Sequence, residues 1–140
     1  HTLAAAVEEA GAVPRLLGIV GDSLAATRAA FAEAGDADMV LSTGGVSMGS
    51  FDVVRQALAD LGYHERFWKV AQKPGKPLSF GRIGHTPVFG LPGNPVSALV
   101  CFHLYALPLL RVLGGHPRPH VPVVRAVMTD RVRTAANLTE

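Results

Sequence analysis

Apolar and polar positions along this 140-residue chain alternate between two rhythms, a spacing of three to four residues and short unbroken apolar runs. Residues 2–10 are alanine-rich, with Leu3, Val7 and Ala10 at helical spacing and Gly11 as a stop, which predicts a first helix. Residues 14–20 predict a short apolar strand, residues 24–34 a second helix ended by Gly35, and residues 38–43, DMVLST, the clearest buried strand. A glycine turn over residues 44–49 leads into a helix predicted over residues 51–61 and closed by Gly62. Strand and helix in this alternation predict right-handed βαβ units, and so an α/β fold around a mostly parallel sheet.

The second half changes rhythm. A strand over residues 65–70 runs into the segment KVAQKPGKP. Residues 78–83 and 87–91 flank the turn Gly84-His85 and predict an antiparallel edge hairpin. Pro92-Gly93-Asn94-Pro95 reads as a turn, with Pro95 suited to the first turn of a long helix that ends near Leu113. Residues 114–119 read as a linker, and residues 120–134 regain strand alternation, which predicts the opening of a further β domain. The chain is thus divided into an α/β unit over residues 1–115 and, over residues 116–140, a linker with the beginning of a C-terminal β domain.

Composition narrows the class. With 49% hydrophobic and 17% charged residues and a mean hydropathy of +0.28, the chain reads as globular. The longest apolar run, residues 96–112, is interrupted by His103, Pro108 and Arg111 and is expected to be a buried helix rather than a membrane span. Cys101 is the single cysteine, which excludes an internal disulfide and fits a reducing cytoplasm, with a buried hydrophobic role for the thiol. A net charge of +2 allows an acidic ligand, but no arginine stripe or interleaved aromatics point to nucleic acid. The sequence starts at His1, directly in a helix pattern and without a leader signature, so it is expected to be a piece of a longer protein.

All three lysines, Lys69, Lys73 and Lys76, fall in one stretch, while the other ten basic residues are arginine. Lysine is a compact point charge on a flexible stem, suited to an oxyanion, so this segment reads as an anion site or, alternatively, as a solvated basic turn. In a parallel α/β sheet, ligands gather at the carboxyl ends of the strands. Four features are expected on that edge. TGGVSMG, with Thr43, Gly44, Gly45 and Ser47, leads from strand to helix and is either an anion-binding loop or a tight turn. Asp52 and Asp22, each following a strand, are metal-ligand candidates, with dipole partner and N-cap as their respective structural alternatives. The lysine segment and LPGNPVSA, with Asn94 and Ser97 at a helix start, complete the set. Jointly they describe a site for a phosphorylated ligand with a metal. No histidine spacing suits a metal, and His103 on its apolar helix reads as a packed core residue.

At TGGVSMGSFD (43–52), FWKVAQKPGKPLSFG (67–81) and FGLPGNPVSALVCF (89–102) the sequence closely resembles the molybdopterin molybdenumtransferase family, the MoeA proteins and the gephyrin E domain. The resemblance implies a three-layer, MogA-like molybdopterin-binding fold with helices on both faces of the sheet, its first strand missing before His1, and the start of a β-barrel domain after residue 115. It implies insertion of molybdate into adenylylated molybdopterin, with magnesium or another divalent metal and release of AMP, in a homodimeric cytoplasmic enzyme, and it implies that this piece in isolation lacks the activity. By the same resemblance Asp22 and Asp52 hold metal and the adenylylated phosphates, and Lys73, Lys76 and Ser97 bind molybdate or its neighbouring phosphate. Gly44, Gly45 and Ser47 line the pterin nucleotide site, with Thr43, Pro92, Gly93 and Asn94 as further substrate contacts. Position 50 is Ser where the family often has an acidic residue. The alternatives are a molybdopterin adenylyltransferase, which would show GGTG followed by an Arg-Asp pair, and a non-catalytic binding or scaffold module.

Overall fold

The computed structural model describes residues 1–21, 23–45, 50–127, 129, 130 and 139, with only the helical backbone for residues 50–52. The candidates Asp22 and Ser47, and the side chain of Asp52, lie outside the described residues. In chain order the elements are α1 (Thr2–Glu9), α2 (Leu24–Glu33), β1 (Val40–Thr43), α3 (Ser50–Asp60), β2 (Tyr63–Trp68), β3 (Ser79–Ile83), β4 (Thr86–Leu91), α4 (Pro95–Cys101) and α5 (Leu107–Leu113). A π-helical turn, Phe102–Ala106, joins α4 to α5 without a break.

The four strands form a sheet in the order β1-β4-β3-β2. β4 pairs parallel with β1, in register Thr43 to Leu91, and antiparallel with β3, while β3 pairs antiparallel with β2. The predicted hairpin is present as β3 and β4 around Gly84, whose φ of +57° suits glycine, but it lies in the middle of the sheet rather than at an edge, because β4 also pairs with β1 and β3 with β2. The sheet is therefore mixed: β1, β2 and β4 run in one direction and β3 runs against them. Their common direction brings the C-terminal ends of β1, β2 and β4 to a single edge.

Helices cover both faces, as the alternation along β4 requires. Val88 joins Phe31 of α2 and Leu58 of α3 on one face, and its neighbour Phe89 joins Leu78, Ala98, Cys101 and Phe102 on the other. Leu3, Ala6 and Val7 of α1 pack against this second cluster. β4 is buried on both sides at its end because it lies between β1 and β3 and beneath helices on each face.

Three further expectations change. Residues 14–20 form no strand: Gly18 takes a φ of +80°, which interrupts an extended backbone, and Ile19 is fully exposed. An apolar run becomes a strand only where a neighbouring edge pairs with it. What ties this segment down is Arg15, which donates to the Asp36 carboxylate and to the Glu33 carbonyl. His103 is exposed rather than packed, with its ring edge-on to Phe102. The helix Pro95–Leu113, at 19 residues and a mean hydropathy of 1.8, is long and apolar enough to cross a membrane. Its interruptions therefore do not decide the matter: Ala98, Cys101, Phe102, Ala106 and Leu107 bury one side of it in the core, while Val96, Leu104, Val112 and Leu113 are exposed, so it is only partly the buried helix expected.

Candidate functional site

The shared edge of β1, β2 and β4 is built from three chain segments. Thr43 ends β1, and Gly44 and Gly45 follow with φ of +78° and +66°, values that favour glycine. The Gly44 amide donates to the Leu91 carbonyl at the end of β4, 3.2 Å away, so the glycine turn is stitched to the strand beside it. A β-carbon on Gly93 would lie 3.5 Å from Gly44 Cα. Thr43, Gly44, Gly45, Pro92 and Gly93 are thus brought together, with two backbones in close approach and no intervening side chain.

Asn94 caps α4: its side-chain oxygen accepts from the Ser97 amide at 3.2 Å, and Pro95 occupies the first turn, where its missing N–H costs nothing. Ser97 Oγ lies 3.5 Å from the same oxygen, at the limit of hydrogen-bonding distance. Both residues therefore stand where the sequence places them, and both have structural work as well. Asn94→Ala is expected to cost about 1 kcal/mol of stability in urea unfolding, the usual worth of an N-cap; an unchanged midpoint would mean that the cap is replaced by solvent.

The lysine segment is the connection between β2 and β3. Lys69, at the residue after β2, adopts a φ of +70° and lays its ammonium 3.9 Å from the centre of the Trp68 ring. This lysine is accounted for by the aromatic face and is not one of the oxyanion candidates. The loop then closes on itself through the Lys69 amide to Leu78 O and the Val70 amide to Lys76 O, at 2.8 and 3.0 Å. From the far end of the chain, Thr139 pairs with it, accepting from the Lys73 amide and donating to Ala71 O. Lys73 and Lys76 are exposed, whereas Gln72, Gly75 and Leu78 point inward and are buried. The cations face out because every third residue anchors the loop below them.

One contact within the loop and two to the long helix seat it. Gln72 Nε2 donates to the Pro74 carbonyl at 2.7 Å, Tyr105 donates its phenol to Gln72 Oε1 at 2.6 Å, and the Cys101 thiol faces the Gly75 carbonyl at 3.7 Å. Burial pushes the Cys101 thiol above its usual range, so it stays protonated as a weak donor. Burial, and secondarily Cys101, does the same for Tyr105. Gly75, at a φ of +112°, could carry no side chain: a β-carbon would come within 2.5 Å of Cys101 Sγ and 2.8 Å of Gln72 Nε2. Sequence reading missed Gln72 and Tyr105, which lie 33 residues apart and carry no motif of their own.

No group of three or more His, Cys, Asp or Glu side chains able to hold a metal occurs among the described residues. What the edge can do chemically is bind an anion. The start of α4 adds its dipole and two exposed lysines supply charge, while the Gly44 amide is already taken by the Leu91 carbonyl.

A molybdenumtransferase of Mycobacterium tuberculosis, "Molybdopterin molybdenumtransferase 2", is 43% identical over 133 residues, covering 91% of this chain and 33% of the relative. A Nostoc protein named molybdopterin molybdenumtransferase is 42% identical over 127 residues, covering 88% and 29%. The chain therefore spans about a third of the length of the curated relatives it matches. Among solved structures, the molybdopterin biosynthesis MoeA protein of Pyrococcus horikoshii superposes with a TM-score of 0.71 at 33% identity, over 82% of this chain and 28% of that one. The family model described as "probable molybdopterin binding domain" matches residues 1–112, which is most of the chain and takes in β1 to β4 and all but the last residue of the long helix. The chain belongs to this family of molybdopterin-binding domains.

Proposed function

We propose that this chain is the molybdopterin-binding domain of a molybdopterin molybdenumtransferase, acting in molybdenum cofactor biosynthesis. The observation that carries the reading is the convergence of the glycine turn, the lysine loop and the capped start of α4 on one sheet edge. The relatives bearing that name support it. The substrates are adenylylated molybdopterin and molybdate, and the reaction releases AMP as molybdenum is inserted. Gly44, Gly45 and Ser47 line the nucleotide end, with Thr43, Pro92, Gly93 and Asn94 beside them. Lys73 and Lys76, with Ser97, receive the tetrahedral oxyanion, where a compact ammonium neutralises charge without imposing a planar geometry. A divalent metal such as magnesium would be held by Asp22 and Asp52, and when bound it would offset charge on the phosphoanhydride that breaks. The working protein is a cytoplasmic homodimer, in which residues 1–115 form the binding domain and residues 116–140 a linker and the start of a β domain.

The test is AMP release from adenylylated molybdopterin by the full-length protein, in magnesium, with and without molybdate. Release that depends on molybdate is the expected result. Formation of adenylylated molybdopterin from ATP instead would assign adenylyl transfer, and binding of molybdopterin without turnover would assign a scaffold role.

A further inference from the structure

We propose that Gln72 and Tyr105 are positioning residues that fix the spacing of the Lys73 and Lys76 ammonium groups, an inference that rests on the oxyanion role given to those lysines above. The Gln72 amide uses both of its ends. Its oxygen accepts from the Tyr105 phenol at 2.6 Å and its nitrogen donates to Pro74 O at 2.7 Å. A flipped amide would set oxygen against the Pro74 carbonyl, two acceptors face to face, so the network admits one orientation. Gln72 is 6% exposed, which makes loss of either bond costly because water cannot replace it.

The helix side is equally fixed. Tyr105 lies in the π-helical turn one turn beyond Cys101, and both reach the same loop, Cys101 at Gly75 and Tyr105 at Gln72. The anchored positions, 72, 74 and 75, bracket Lys73 and immediately precede Lys76. The two cations are thus carried on a backbone held from below on either side of the first and just ahead of the second. Without the anchors, ordering that loop around an oxyanion would fall to the binding step and weaken it. The stem flexibility of lysine is tolerated because its origin is not flexible.

Tyr105→Phe removes the phenol while keeping the ring, and Gln72→Met keeps the side-chain length without either polar end. In the full-length protein each is expected to raise the half-saturating molybdate concentration about 5- to 10-fold, with kcat changed less than about twofold and the thermal midpoint lowered by a few degrees, the cost of a buried bond lost. The double variant should be no worse than the stronger single one, since both break the same relay. Amide exchange over residues 71–76 should quicken about tenfold in Tyr105→Phe, while the sheet keeps its protection. Unchanged molybdate dependence in both variants, or parallel falls in kcat and thermal midpoint, would overturn the assignment. A wild-type protein without molybdate-dependent release would sink the functional reading instead, and loop exchange would then decide the anchor by itself: faster supports it, unchanged refutes it.

Discussion

Lys76→Ala is expected to lower molybdate-dependent AMP release by about 100-fold while leaving the urea midpoint nearly where it was, within about 0.5 kcal/mol in stability. The asymmetry follows from what the fold takes from this residue. Its backbone carbonyl accepts from the Val70 amide and helps close the loop, a bond that alanine retains. Its side chain is exposed. An exposed ammonium contributes little to folding, but one set against a bound oxyanion contributes charge stabilisation to it. Lys76→Arg sharpens the point: the charge stays, the compact geometry does not, and activity should fall between the wild type and the alanine variant. Equal losses of activity and stability in Lys76→Ala would show that the residue serves the loop's shape, and full activity would remove it from the site.

Phe102→Ala is expected to cost about 3–5 kcal/mol in equilibrium unfolding, with an unchanged denaturant slope. Phe102 is fully buried, in the cluster that joins the helix Pro95–Leu113 to Phe89 and Leu91 of β4 and to Leu78 beside β3. Its removal leaves a cavity bounded by two rigid elements that cannot close on it, which places the cost in the upper part of the range for core truncations. Against a total stability of about 5–15 kcal/mol this is a large share. The lysine loop should loosen as well, because Cys101, its contact at Gly75, is the adjoining residue. A measured loss below about 1 kcal/mol would mean that the helix is held mainly by α1 or by its own winding.

Local chemistry was legible in the chain itself. Asn94 before Pro95 marks a helix start and Gly84-His85 marks a hairpin turn, because each depends on neighbours only a few residues away. The three motifs at residues 43–52, 67–81 and 89–102 likewise identified the family that the comparisons support. Tertiary structure decided what depends on distant partners. Residues 14–20 have the composition of a strand, but strand formation is a property of a pair, and here Gly18 and the Arg15 link to Asp36 prevail. His103 shares its apolar run with Cys101 and Phe102, yet the helix turns it outward. The direction of β2, which brings the lysines to the edge occupied by the glycine turn, follows from its pairing with β3. The anchor beneath those lysines joins residues 33 positions apart, by hydrogen bonds that no local pattern encodes. Short-range preferences are written into successive residues, whereas register, facing and long-range hydrogen bonds exist only once burial has chosen which surfaces meet.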